Sequence, residues 1–137
     1  MNRRRQKKLT RRLMSAALSD SGTRTAALLK SGADPRARDA DGTTPLYAAS
    51  VHGNAEAVRH LLAAGAPPDE ESAGLGAEGT PLCAAACWGH TDTVRALLDH
   101  GADPGLREDH GTGLTPLEWA RAGSHTEAAA VLLAAGA

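Results

Sequence analysis

Isoleucine and phenylalanine are absent from the 137-residue sequence, and only three aromatic residues, Tyr47, Trp88 and Trp119, are present. A core filled by large rings is excluded, and so is a β-rich fold, because strands draw on branched and aromatic side chains. No apolar run approaches the ~20 residues that cross a bilayer. The basic start resembles the opening of a signal peptide, but Leu13 to Leu18 is interrupted by Ser15 and followed by Ser19 and Asp20. That is too short an apolar stretch for export. Cys83 and Cys87 lie four apart, where a disulfide would close too short a loop to stabilise the chain. A reducing, cytoplasmic compartment is the simplest expectation.

Acid is missing from residues 1–12, which carry Arg3, Arg4, Arg5, Lys7, Lys8, Arg11 and Arg12. The remainder holds 8 basic against 16 acidic groups, so a head of +7 precedes a body of −8. What is abundant is small or aliphatic: 29 Ala, 17 Leu and 4 Val. Close-packed Ala/Leu helices follow from that inventory.

Two markers repeat. Gly-Ala recurs at Gly32, Gly65, Gly101 and Gly136, each three residues after a Leu-Leu pair, with spacings of 33, 36 and 35. Thr-Pro-Leu begins at Thr44, Thr80 and Thr115, always 21 residues before the following Gly. The variation falls between Gly-Ala and the next Thr-Pro-Leu, where the gaps are 12, 15 and 14. A constant block is what a packed helix pair requires, since one inserted residue rotates a helical face by about 100°. Loops absorb insertions because closure entropy grows slowly with length. Thr is expected as N-cap and Pro as the first helical residue. Gly53 and Gly89, then Gly65, Gly101 and Gly136, suit left-handed helix ends. The second unit is expected to place helices over roughly 45–52 and 55–64.

These residues resemble the ankyrin repeat, closely in Gly42 to Ala66 and Thr80 to Ala102, less so in Gly113 to Ala137. Leu13 to Ala33 resembles a degenerate first unit, with Arg11-Arg12 in place of Thr-Pro. The resemblance implies an all-α ankyrin-repeat solenoid of about four helix-turn-helix units joined by hairpin-like loops. The expected division is a basic segment at 1–9 and a repeat domain at 10–137, with units near 10–38, 39–69, 75–106 and 110–137. The family's His after Thr-Pro-Leu is replaced by Tyr47, Cys83 and Glu118, and the last turn reads Gly123-Ser124-His125.

Gly74 to Gly79 spells GxGxxG, but an acidic loop precedes it where a dinucleotide site needs a strand. It reads as an inter-repeat loop. Cys83, Cys87 and His90 lack a fourth ligand for a metal, and small buried thiols are common. The six His residues fall at repeat positions and are expected in capping and turn roles. No catalytic constellation emerges, so neither an enzyme, a cofactor nor a metal is expected. Asp69, Glu70 and Glu71 read as a solvated loop, and Trp119 as packing between repeats.

By resemblance, ankyrin arrays bind proteins through hairpin tips and the exposed side of each first helix. The matching variable positions are Ala40, Asp41, Thr43, Val51 and His52; Ala77, Gly79, Cys87 and Trp88; and Thr112, Leu114 and Ala122. Trp88 stands out, because tryptophan is a frequent interface anchor. The acids of 66–79 and 102–114 suggest a basic partner surface. The basic head supports a second reading, an adaptor recruited to nucleic acid or an anionic membrane; the same residues read structurally as Lys7 to Arg12 extending the first helix after a disordered Arg3 to Arg5.

Overall fold

Each Thr-Pro-Leu opens a helix in the computed structural model, which describes residues 2–19, 22–74 and 79–137. Thr44, Thr80 and Thr115 accept the backbone N–H of Tyr47, Cys83 and Glu118 at 3.1, 3.2 and 3.1 Å. Such a cap stabilises a helix by about 1 kcal/mol. The Pro that follows sits where a missing N–H costs nothing.

Nine helical segments result among the described residues: α1 (Arg3–Leu18), α2 (Gly22–Lys30), α3 (Pro45–Val51), α4 (Ala55–Ala63), α5 (Pro81–Cys87), α6 (Thr91–Asp99), α7 (Glu108–Gly111), α8 (Pro116–Ala122) and α9 (Thr126–Ala134). The first helices α1, α3, α5 and α8 pack side by side in one row, and α2, α4, α6 and α9 in a second. α7 is a single turn of the opposite hand, with Asp109 and His110 at φ 52° and 54°. The described residues contain no sheet; one antiparallel bridge joins Ser72 to Gly79. The all-α architecture expected from the repeat is therefore present.

One continuous core runs through both rows. The first Leu of each pair fills it, with Leu61, Leu97 and Leu132 fully buried, while the second ranges from buried at Leu62 to 48% exposed at Leu133. Burying each such Leu contributes roughly 2 kcal/mol. Ala16, Ala49, Ala85 and Ala120 are completely enclosed on the first helices, where small side chains let neighbouring helices approach. Ala and Leu thus replace the missing rings.

The basic head is helical from Arg3, and α1 passes residue 9 without a break. Arg3 to Arg5, expected as a disordered start, form its first turn behind an Asn2 cap that accepts the Arg4 N–H at 2.8 Å. Leu9, on the same helix, is buried.

Candidate functional site

Helix ends expose unpaired carbonyls, and the stack satisfies them by one recurring device. Asn54 Nδ2 donates to Ser19 O at 2.6 Å, His90 Nε2 to Val51 O at 2.9 Å and His125 Nε2 to Cys87 O at 3.0 Å. In every case the residue that begins a second helix reaches back to the end of the preceding unit's first helix. This corrects the capping assignment for His90 and His125, whose side chains make no cap hydrogen bond. The imidazole is long enough to reach the earlier unit. Asn54 does both jobs, also accepting Ala57 N–H at 3.2 Å. His100 keeps a local role, bonding Ala96 O of its own helix at 2.9 Å.

The reach requires room. A Cβ on Gly53 would lie 2.5 Å from His90 Nδ1, and one on Gly89 would lie 2.4 Å from His125 Nδ1. Both glycines also hold the left-handed conformation, at φ 68° and 70°. In the last unit that conformation falls on Ser124, at φ 59°.

These turns carry one row of the expected binding positions. From Pro45 to Ser50 and from Pro81 to Ala86 the first helices are buried throughout, so the exposed helix side anticipated for a partner is confined to their ends. Neighbouring helices on both sides cover the rest. Val51 and Cys87 are half-buried, His52 is exposed, and Trp88 is 62% exposed. Trp88 lies at the C-terminal cap of α5, and its indole Nε1 has no hydrogen-bond partner among the described residues.

The loop tips form the second row. Asp41, Thr112 and Leu114 are exposed, and Thr43 is half-buried with its hydroxyl donating to Ala73 O at 3.2 Å. Gly79 is buried, and Ala77 lies outside the described residues. Seven-residue helices separate the two rows by about 10 Å.

The loop acids differ from the solvated loop expected. Glu70 pairs with Arg38 at 2.7 Å, Glu71 accepts from His110 N at 3.0 Å, and Asp69 accepts from Asp103 N at 3.0 Å. Each ties one loop to its neighbour, while Asp103 and Asp109 stay exposed. Glu108 accepts the Trp119 indole N–H at 2.7 Å, so Trp119 joins α8 to the loop while packing on the core. Burial raises the Glu108 carboxyl above its ordinary value, with that hydrogen bond opposing the shift. Glu118 is held low by its backbone hydrogen bond from Thr115 within a full capping box.

Cys83, which follows Thr-Pro-Leu in the third unit, also bridges two units. Its Sγ donates to Leu114 O of the next loop at 3.6 Å. Burial pushes its thiol up to about 12, which leaves it an unreactive packing group. Among the described residues no group of three or more His, Cys, Asp or Glu gathers to hold a metal ion.

The family model described as Ankyrin repeats (3 copies) matches residues 13–108 and, overlapping, 73–137. The chain belongs to the ankyrin repeat family. Ankyrin repeats are protein–protein interaction modules, and the helix pairs above are their units. No curated protein matches the sequence. Among the described residues, no helix of this ankyrin stack is long and apolar enough to cross a membrane.

Proposed function

We propose that this ankyrin stack is a non-catalytic binding surface whose protein partner spans the turn ends and the loop tips, anchored on Trp88. One observation carries the reading: a sequence with three aromatic residues leaves one of them, Trp88, 62% exposed. His52 and Gly123 occupy the same position in the adjacent units, so the repeat itself does not call for an indole there. A tryptophan offers some 150–250 Å² of burial, and covering the exposed part is worth roughly 2–4 kcal/mol at ~25 cal/mol per Å². His52, Val51 and Cys87 flank it along the turn row. Asp41, Thr43, Thr112 and Leu114 form the opposite rim.

The Trp88→Ala variant tests the reading. Capture of a partner from native lysate is expected to weaken by roughly 2 kcal/mol or more, with the thermal midpoint nearly unchanged. A variant that melts early yet captures its partner as well as the wild type would make Trp88 a structural residue.

A further inference from the structure

The first unit differs from the others in the length of its first helix. Arg11 and Arg12 stand where later units have Thr-Pro, so residues 3–11 of α1 have no counterpart elsewhere. This extension runs past the first loop and is tied to the turn after α2. Arg5 Nη2 donates to Ser31 O at 3.3 Å, and Gln6 Nε2 to Gly32 O at 3.2 Å.

Between the extension and the loop lies an open groove of about 710 Å³, and its two sides differ in sign. Arg3, Lys7 and Arg11 line it from the helix; Asp34, Asp39 and Asp41 line it from the loop. The loop side is set by its own turns. Asp34 accepts Arg36 N–H, and Asp39 accepts the N–H groups of Asp41 and Thr43, all at 2.9 Å; among the described residues the Asp41 carboxylate has no hydrogen-bond partner. Arg38, also at the groove, is already paired with Glu70. On the helix side, the charged ends of Arg3, Lys7 and Arg11 meet no acceptor among the described residues.

The geometry points to an extended partner segment in which acidic residues alternate with basic or N–H-donating ones. Positions i, i+4 and i+8 on α1 are separated by about 6 Å per step. Alternate residues of an extended chain advance by about 6.6 Å and face the same way, while those between face the opposite wall. Acids at every second position therefore meet Arg3, Lys7 and Arg11 in turn, and the intervening side chains meet Asp41. A polyphosphate or an anionic membrane carries one sign only and would press its charge against the aspartates. This inference rests on the protein-binding reading and names the partner's chemistry at a second place on the surface.

The test uses fluorescence polarisation on the full chain with a labelled peptide alternating glutamate and lysine. The comparison ligands are its isomer with the same residues in two blocks, an oligothymidylate, and vesicles containing phosphatidylserine. The alternating peptide is expected to bind in a salt-sensitive manner and to outcompete the other three. Lys7→Glu is expected to weaken it about tenfold, the effect of losing one charge-assisted pair; Arg121→Glu, on α8 in the last unit, leaves it unchanged. Equal affinity for the blocked isomer, tighter binding of the oligonucleotide or vesicles, or no binding by the wild type would overturn the assignment. The peptide is assayed without any lysate partner, so its failure leaves the Trp88 capture test standing.

Discussion

At the turn end of the stack one bond is made three times, from Asn54, His90 and His125 to the preceding unit, whereas at the loop end each junction is built differently. Arg38 pairs with Glu70, Asp69 takes the Asp103 N–H, and Cys83 bonds Leu114 O, three joints of different chemistry. The constant 21-residue spacing belongs to the first arrangement and the variable gaps to the second. Regular packing fixes the turn end so tightly that change is tolerated chiefly where the chain leaves it: at the cap that follows a first helix, as in Trp88, and in the loops.

The comparison is sharpest in the glycines. Gly53→Ala combines a left-handed backbone with a clash against the His90 ring and is expected to cost about 3 kcal/mol. Gly65→Ala shares the unfavourable φ, at 104°, but meets nothing within 4 Å, and is expected to cost only about 1 kcal/mol. Urea unfolding of both variants decides the matter; equal losses would mean that the ring does not constrain the turn.

Among the described residues, Ser124 stands where Gly53 and Gly89 hold the left-handed turn. Ser124→Gly restores the residue that Gly53 and Gly89 supply and is expected to raise stability by roughly 0.5–1 kcal/mol. A thermal midpoint that stays put or falls would show that the last turn holds its serine without strain.

The smallest effect lies at the loop end and concerns pH. The folded-state value of Glu108 lies above 4.5, so the folded protein binds this proton more tightly than the unfolded chain. Stability from this group is therefore present at low pH and declines as pH rises through that raised value. Glu118, shifted downward, contributes with the opposite sign: its stabilisation is present at higher pH and fades as pH falls through its lowered value. Glu108→Gln retains an acceptor for the Trp119 indole and is expected to remove only the first slope, measured by unfolding at several pH values. An unaltered profile would place the proton elsewhere.

Much of this fold is legible in the residues because its determinants are local and periodic. Thr-Pro marks each helix start, Leu-Leu each buried face, and Gly each left-handed stop. The inter-unit bonds were also present as a pattern, since Asn54, His90 and His125 fall in phase, yet a histidine at a helix start reads equally well as a cap. Nothing in the sequence pairs Arg38 with Glu70, because that contact depends on how two loops of unequal length fold over each other. The left-handed turn at Asp109 and His110 was hidden for a similar reason, as both residues also occur in ordinary turns. For the binding surface, Trp88 was visible as a departure from the repeat. The groove beside α1 was not, because it exists only once the first loop lies alongside a helix some 30 residues earlier.

The back-reaching side chain has a consequence for how such an array grows. The donor belongs to the later block and the acceptor to the earlier one, at matching places in each. An in-frame duplication therefore delivers a new brick with both halves of its joint already made, and the array lengthens without inventing any mortar.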